Sequence, residues 1–192
     1  MHRIQFARIL TAATAVLLAS GCAMQAPRYQ ASIDNIEVLK KAPNAMSVGS
    51  FSVRAGSPAA ASGGTAISLR GSPMTSPAGA DYAAYLADAI SQELSLVKKL
   101  DPKSNIEVSG KLAVNDIAAG GISTNSGEVQ AQFVVKKDGD IRFDKLKSAS
   151  MSWDSSFLGG IAIPKAQQQY PLIVQKLLSL LWTDADFQAA IK

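Results

Sequence analysis

The sequence predicts a single α+β domain, residues 32–192, built on one antiparallel sheet of about four to five strands with two main amphipathic helices on one face. Residues 106–114 and 129–135 alternate apolar and polar side chains, which indicates half-buried antiparallel strands. Residues 82–97 and 172–181 repeat apolar side chains at helical spacing. Runs of strands separated by helices of this kind are typical of the α+β class.

The chain begins with a segment typical of an export signal. Arg3 and Arg8 supply a positive start, and an uncharged apolar run from Ile9 to Leu18 follows them. This run has the length of a signal-peptide core and falls short of the roughly 20 residues that a membrane-spanning helix needs. Residues 1–21 are therefore predicted to be a signal peptide.

The segment Leu18-Ala19-Ser20-Gly21-Cys22 ends in the only cysteine of the chain and resembles the lipobox of bacterial lipoproteins. The resemblance implies cleavage before Cys22, a diacylglyceryl group on its thiol and an acyl chain, such as palmitate, on the new N-terminus. Two or more chains anchor a protein stably, whereas one holds it only marginally. By the sorting rule of that family, Ala23 favours the outer membrane. The alternative is an ordinary secretory signal with an incidental cysteine.

Cleavage would leave 171 of the 192 residues, enough for one core, and would lower the net charge from +4 to +2. It would also remove His2, the only histidine. Without histidine or a free thiol, Ser-His-Asp and Cys-His catalysis and the usual zinc, copper and iron sites are excluded. No long basic run indicates a nucleic-acid partner. We therefore expect no enzyme activity, no cofactor and no metal.

Several elements are predicted before residue 100. Residues 22–31 are expected to form a lipidated tether, and a short helix follows Ser32. Residues 46–53 and 66–71 favour strands. The segment 55–66 contains only Ala, Gly, Ser, Pro and Thr, so it is expected to be a mobile loop. Ser76, before Pro77, is expected to cap the first long helix.

The second half is predicted to continue with a long strand over residues 141–155 and a second long helix. Pro171 either starts this helix or kinks one that begins near Pro164. Thr183 and Asp186 have the spacing of a capping box, which predicts a last short helix.

Three short motifs invite a catalytic or metal-binding interpretation, and each has a structural explanation. The pair Ser95 and Lys98 has the spacing of Ser/Lys acyltransferases, but the companion motifs are missing. Asp138-Gly139-Asp140 is more typical of a hairpin turn than of a calcium loop. Asp184 and Asp186 fit the start of a helix better than an acid/base pair.

The segment from Phe157 to Pro164 is the candidate contact surface. It contains two glycines, no charged residue and four large apolar residues, namely Phe157, Leu158, Ile161 and Ile163. As an exposed loop it would form an apolar patch that touches a partner protein or lipid. As a continuation of the last strand together with the lead-in to the following helix, it would belong to the core.

The order of elements resembles the YajG-type lipoproteins of Gram-negative bacteria and, more weakly, the ABC-transport auxiliary lipoproteins. The segments that carry the resemblance are "YAAYLADAISQEL", "NIEVSGKLAV", "GEVQAQFVV", "SASMSWDSSF" and the C-terminal helix. It implies a non-enzymatic, periplasm-facing binding or scaffolding module of the outer membrane with an envelope protein as partner. The alternative is an auxiliary subunit of an envelope lipid-transport system.

Overall fold

The computed structural model describes residues 24–79 and 81–192. Within these residues the chain forms seven strands, four α-helices and one 3-10 helix. In chain order they are β1 (Met24–Gln25), α1 (Ile33–Leu39), β2 (Ser47–Val53), the 3-10 helix (Pro58–Ser62), β3 (Ala66–Leu69), β4 (Ser72–Thr75), α2 (Tyr82–Leu96), β5 (Ile106–Ala118), β6 (Thr124–Lys137), β7 (Asp140–Asp154), α3 (Gly159–Trp182) and α4 (Ala185–Ala190). The α+β class is confirmed.

The larger sheet has the strand order β2-β5-β6-β7. Strands β5, β6 and β7 are antiparallel neighbours, but β2 pairs parallel with β5, with Val53 opposite Leu112. Parallel neighbours need a crossover connection, and β3, β4 and α2 together supply it. The prediction of a purely antiparallel sheet is therefore wrong.

A second, three-stranded sheet has the order β1-β4-β3. Strands β3 and β4 form a hairpin through Arg70 and Gly71, which have φ angles of 52° and 85°. Strand β1 pairs parallel with β4. The prediction of a single sheet missed this one because β1 has two residues and β4 contains Pro73, a residue that argues against a strand.

Both long helices pack against the four-stranded sheet, α2 on β2 and β5 and α3 on β6 and β7. Three buried tyrosines join the two helices, since the ring of Tyr170 lies 4.9 Å from that of Tyr82 and 5.3 Å from that of Tyr85. Helix α3 continues through both Pro164 and Pro171. No helix in the described parts of the chain is long and apolar enough to cross a membrane.

The segment 55–66 is a structured turn that contains the 3-10 helix and packs on β5. Ala59 is buried there, and Gly64 lies so close to Val53 that an added Cβ would be 2.2 Å from the valine side chain. The small side chains of this segment thus permit close packing. The prediction that it is a mobile loop is wrong.

The capping residues of two helices also differ from the prediction. Asp81 caps α2 by accepting a hydrogen bond from the Ala84 amide at 2.8 Å. Asp184 caps α4, while the Thr183 hydroxyl donates back to the Ser179 carbonyl.

Candidate functional site

The connection between β7 and α3 carries an exposed group of large apolar side chains. Phe157 is 75% exposed, Leu158 59% and Ile161 56%. Leu158 precedes the first turn of α3, so Leu158 and Ile161 share one side of that turn. Ile163 differs, because it is partly buried and packs against the core.

Ile122, in the loop between β5 and β6, extends this surface. Its side chain is 71% exposed. Ile122 and Phe157 line the same shallow cavity of about 240 Å³, together with Arg70 and Gly120. We call the surface formed by Ile122, Phe157, Leu158 and Ile161 the apolar end. Sequence reasoning missed Ile122 because it stands alone in a polar, glycine-bearing loop.

The guanidinium group of Arg70 forms hydrogen bonds with the backbone beneath the apolar end. Its Nε donates to the carbonyl of Ala119 at 2.8 Å, and one terminal nitrogen donates to Gly121 at 2.9 Å and to Ser156 at 2.8 Å. The other terminal nitrogen donates to the Phe157 carbonyl at 3.0 Å. Only arginine offers a planar fork with enough donors for four carbonyls. The two loops of the apolar end are therefore held together at fixed positions.

The local backbone allows this arrangement through glycine. A Cβ on Gly121 would lie 1.7 Å from the carbonyl oxygen of Thr124, so no side chain fits there. Arg70 itself lies in the left-handed turn between β3 and β4. Neither loop gives a sequence signal for this contact, because its partners are backbone carbonyls about 50 and 87 positions away.

Cys22, the predicted lipidation residue, lies outside the described residues. The described part of the predicted tether, residues 24–31, contributes β1 and two buried side chains, Ala26 and Tyr29. The Tyr85 hydroxyl also donates to the Pro27 carbonyl at 3.0 Å. These residues pack as part of the domain.

Glu93 is a fully buried acid that connects this N-terminal segment to both long helices. Its carboxylate accepts hydrogen bonds from the Tyr29 hydroxyl at 2.6 Å, the Asn35 amide at 2.9 Å and the Trp182 indole at 2.6 Å. The backbone N–H of Ser32 donates to it at 3.3 Å. Burial and the neighbouring carboxylate raise the pKa of Tyr29 well above its usual range. With these donors satisfied, the cluster is a structural junction.

A charged cluster lies where β7 meets α4. Lys147 binds the Asp184 carboxylate, and Lys145 lies 3.2 Å from Asp184 and 2.5 Å from Asp186. The Asp184 side chain also accepts from the backbone N–H groups of Asp186 and Phe187. Hydrogen bonds from Lys147 first, and then from Lys145 and the backbone, lower the pKa of Asp184 well below its ordinary value of 3.8.

We expect Asp184→Asn to lower the melting temperature at pH 6, and the gap to the wild type to close as the pH falls below about 3.8. An acid whose pKa is lower in the folded state than in the unfolded state stabilises the protein at pH values above its unfolded-state pKa. This stabilisation is lost as the pH falls from the unfolded-state pKa through the folded-state pKa. Asparagine caps helices as well as aspartate does, so the variant isolates the charge. Thermal unfolding from pH 6 to pH 2 measures the effect, with exposed Asp154→Asn as the control; a gap that stays constant would contradict it.

The other motifs do not assemble into a site. Lys98 lies beyond the end of α2 with φ at 57°, so it does not share a helical face with Ser95. Asp138 and Gly139 form the turn between β6 and β7, and the Asp138 carboxylate accepts a hydrogen bond from the Asn105 amide at 2.7 Å.

No protein-family model matches the chain, and no curated protein matches it. Solved structures show a remote likeness. A Xanthomonas campestris protein of family DUF330 is 13% identical to this chain, with a TM-score of 0.49. The match covers 82% of this chain and 92% of the Xanthomonas chain. A candidate lipoprotein from Caulobacter crescentus CB15 is 11% identical, with coverages of 82% and 96% and a TM-score of 0.45. A hypothetical protein from Chlamydia trachomatis is 10% identical, with coverages of 71% and 96% and a TM-score of 0.36.

Proposed function

We propose that this protein is a non-enzymatic lipoprotein of the Gram-negative outer membrane, anchored through lipid on Cys22, that serves as a periplasm-facing binding or scaffolding module. The observation that carries the binding role is the apolar end, where four large apolar side chains are exposed. Contiguous exposed apolar surface on a soluble domain marks a contact site more often than chance.

The way in which the apolar end is held also supports a binding role. The Arg70 hydrogen bonds connect the backbone beneath Phe157 to the loop that carries Ile122. A surface that is already ordered loses less conformational entropy when it binds. The anchoring role rests on the signal segment and Cys22, with Ala23 favouring the outer membrane.

Metabolic labelling tests the anchor. The full-length chain is expressed in a Gram-negative host that is fed an alkyne-bearing palmitate, and membranes are then separated by density. We expect the wild type to carry the label and to sediment with the outer membrane. Cys22→Ser is expected to lose both the label and the membrane association.

A matched control places the cysteine elsewhere. Cys22→Ser combined with Ser150→Cys on the exposed side of β7 keeps one thiol in the chain and should remain unlabelled. Export of an unlabelled, cleaved wild type would contradict lipidation. Labelled wild type in the inner membrane would contradict the outer-membrane assignment.

A further inference from the structure

We propose that the apolar end docks on the lipid surface of the membrane that anchors the protein. The occupant of this surface is therefore the bilayer, and the inference rests on the proposed lipidation of Cys22. Three observations support it: the direction of β1, the short chain between β1 and Cys22, and the composition of the apolar end.

The pairing of β1 with β4 fixes the direction in which β1 runs and the end of the domain at which it begins. Met24 lies opposite Met74 and Gln25 opposite Thr75, in parallel. Strand β1 therefore begins at the end of the small sheet at which β4 also begins. Strand β4 begins at Ser72, directly after the turn that carries Arg70. Arg70 binds the carbonyls of the apolar end, so β1 begins near that end of the domain.

The distance between the anchor and the domain is short. Cys22 is two residues before Met24. Two residues span at most about 7 Å when fully extended. Acyl chains on Cys22 would therefore bring the start of β1, and with it the apolar end, to the membrane surface.

The composition of the apolar end suits the boundary between head groups and acyl chains. Residues 155–164 contain no charged side chain, and Lys165 follows one turn after Ile161. Aromatic and aliphatic side chains next to a cation are typical of segments that lie in this boundary. A protein partner could also cover apolar side chains, but the position of the anchor favours lipid.

The opposite end of the sheet is polar and far from the proposed membrane. Strand β7 has 15 residues, and at about 3.3 Å per residue it spans roughly 45 Å. At its far end lie the Asp138–Gly139 turn and the C-terminal Lys192, whose carbonyl accepts a hydrogen bond from Asn44. Docking of the apolar end would therefore direct this polar end into the periplasm.

The test uses the lipidated full-length protein in vesicles of phosphatidylethanolamine and phosphatidylglycerol. Lipidation leaves no native thiol free, so an introduced cysteine can be labelled alone with the fluorophore NBD. Leu158→Cys reports on the apolar end. Ile141→Cys is the matched control, because Ile141 has nearly the same exposure, 61% against 59%, and lies at the opposite end of β7.

For a label in the bilayer boundary, we expect iodide quenching at position 158 to be about three-fold weaker than at position 141. Brominated lipids are expected to quench the label at position 158 only. Equal iodide quenching at both positions, with the protein still bound to the vesicles, would overturn docking while leaving the anchor intact. Loss of vesicle binding and of palmitate label in the wild type would instead overturn the proposed function.

A second measurement separates lipid from a protein partner. A photo-crosslinking amino acid replaces Leu158 in the full-length protein in native membranes, with Ile141 as the matched position. We expect adducts with phospholipid at position 158 and none at position 141. A protein adduct at position 158, from a transport complex for example, would overturn the assignment to the bilayer, and so would the absence of any lipid adduct.

Discussion

Replacing Glu93 with alanine is expected to lower the free energy of unfolding by about 4 kcal/mol. The Tyr29 hydroxyl, the Asn35 amide and the Trp182 indole all donate to this buried carboxylate. Alanine leaves the Tyr29 hydroxyl and the Trp182 indole without an acceptor, whereas the Asn35 amide still donates to the Gln175 carbonyl. An unsatisfied buried donor costs about 1–3 kcal/mol. The variant also leaves a cavity between the N-terminal segment and the two long helices. Chemical denaturation at neutral pH measures the change.

Two variants show whether the effect comes from the acceptor. Glu93→Gln retains one acceptor oxygen and nearly the same volume, so its loss should be about half that of alanine. Glu37→Ala removes an exposed acid that is paired with Lys40, and it should leave the denaturation midpoint near that of the wild type. If Glu93→Gln were as unstable as Glu93→Ala, the network would depend on charge and not on the number of acceptors. If Glu93→Ala were as stable as the wild type, the junction would not contribute to stability.

Arg70→Ala is expected to lower the free energy of unfolding by about 3 kcal/mol, since hydrogen bonds from charged donors contribute more than neutral ones. The variant removes four hydrogen bonds to carbonyls in two loops. The largest change should be local. Backbone amides in residues 119–123 and 155–158 are expected to exchange with deuterium faster than those of β6, which hydrogen-exchange mass spectrometry resolves.

Arg70→Lys is the matched variant. Lysine retains the positive charge but is a point donor that cannot span four carbonyls. We therefore expect Arg70→Lys to resemble Arg70→Ala in the exchange of the two loops. Wild-type protection in Arg70→Lys would mean that charge alone holds the apolar end. Uniformly faster exchange throughout the domain would mean that Arg70 supports the whole fold instead of this end.

The strands and helices could largely be predicted because they depend on local side-chain periodicity. The alternation in β5 and β6 and the helical spacing in α2 are borne out, and Val129, Ala131 and Phe133 are all buried on one side of the sheet. Strand pairing could not be predicted in the same way. Whether β2 runs parallel or antiparallel to β5 depends on the path of the chain between them, and periodicity contains no information about that path.

The candidate site shows the same division. The composition of the segment singled out Phe157, Leu158 and Ile161. The identity of a hydrophobic residue does not reveal whether its side chain is buried or exposed. Tertiary structure decided that these three are exposed and that Ile163 packs against the core. Ile122 became part of the surface only because the fold places its loop beside Phe157.

By itself, the sequence determined the α+β class, and it predicts a signal segment, lipidation at Cys22 and a mature chain without histidine. These follow from residue type and from spacing over a few positions. Tertiary structure alone decided the two mixed sheets, the buried Glu93 junction, the Arg70 contacts and the end of the domain at which β1 begins. All four depend on residues that are distant in sequence and come into contact only in the folded domain. A local sequence pattern therefore cannot predict them.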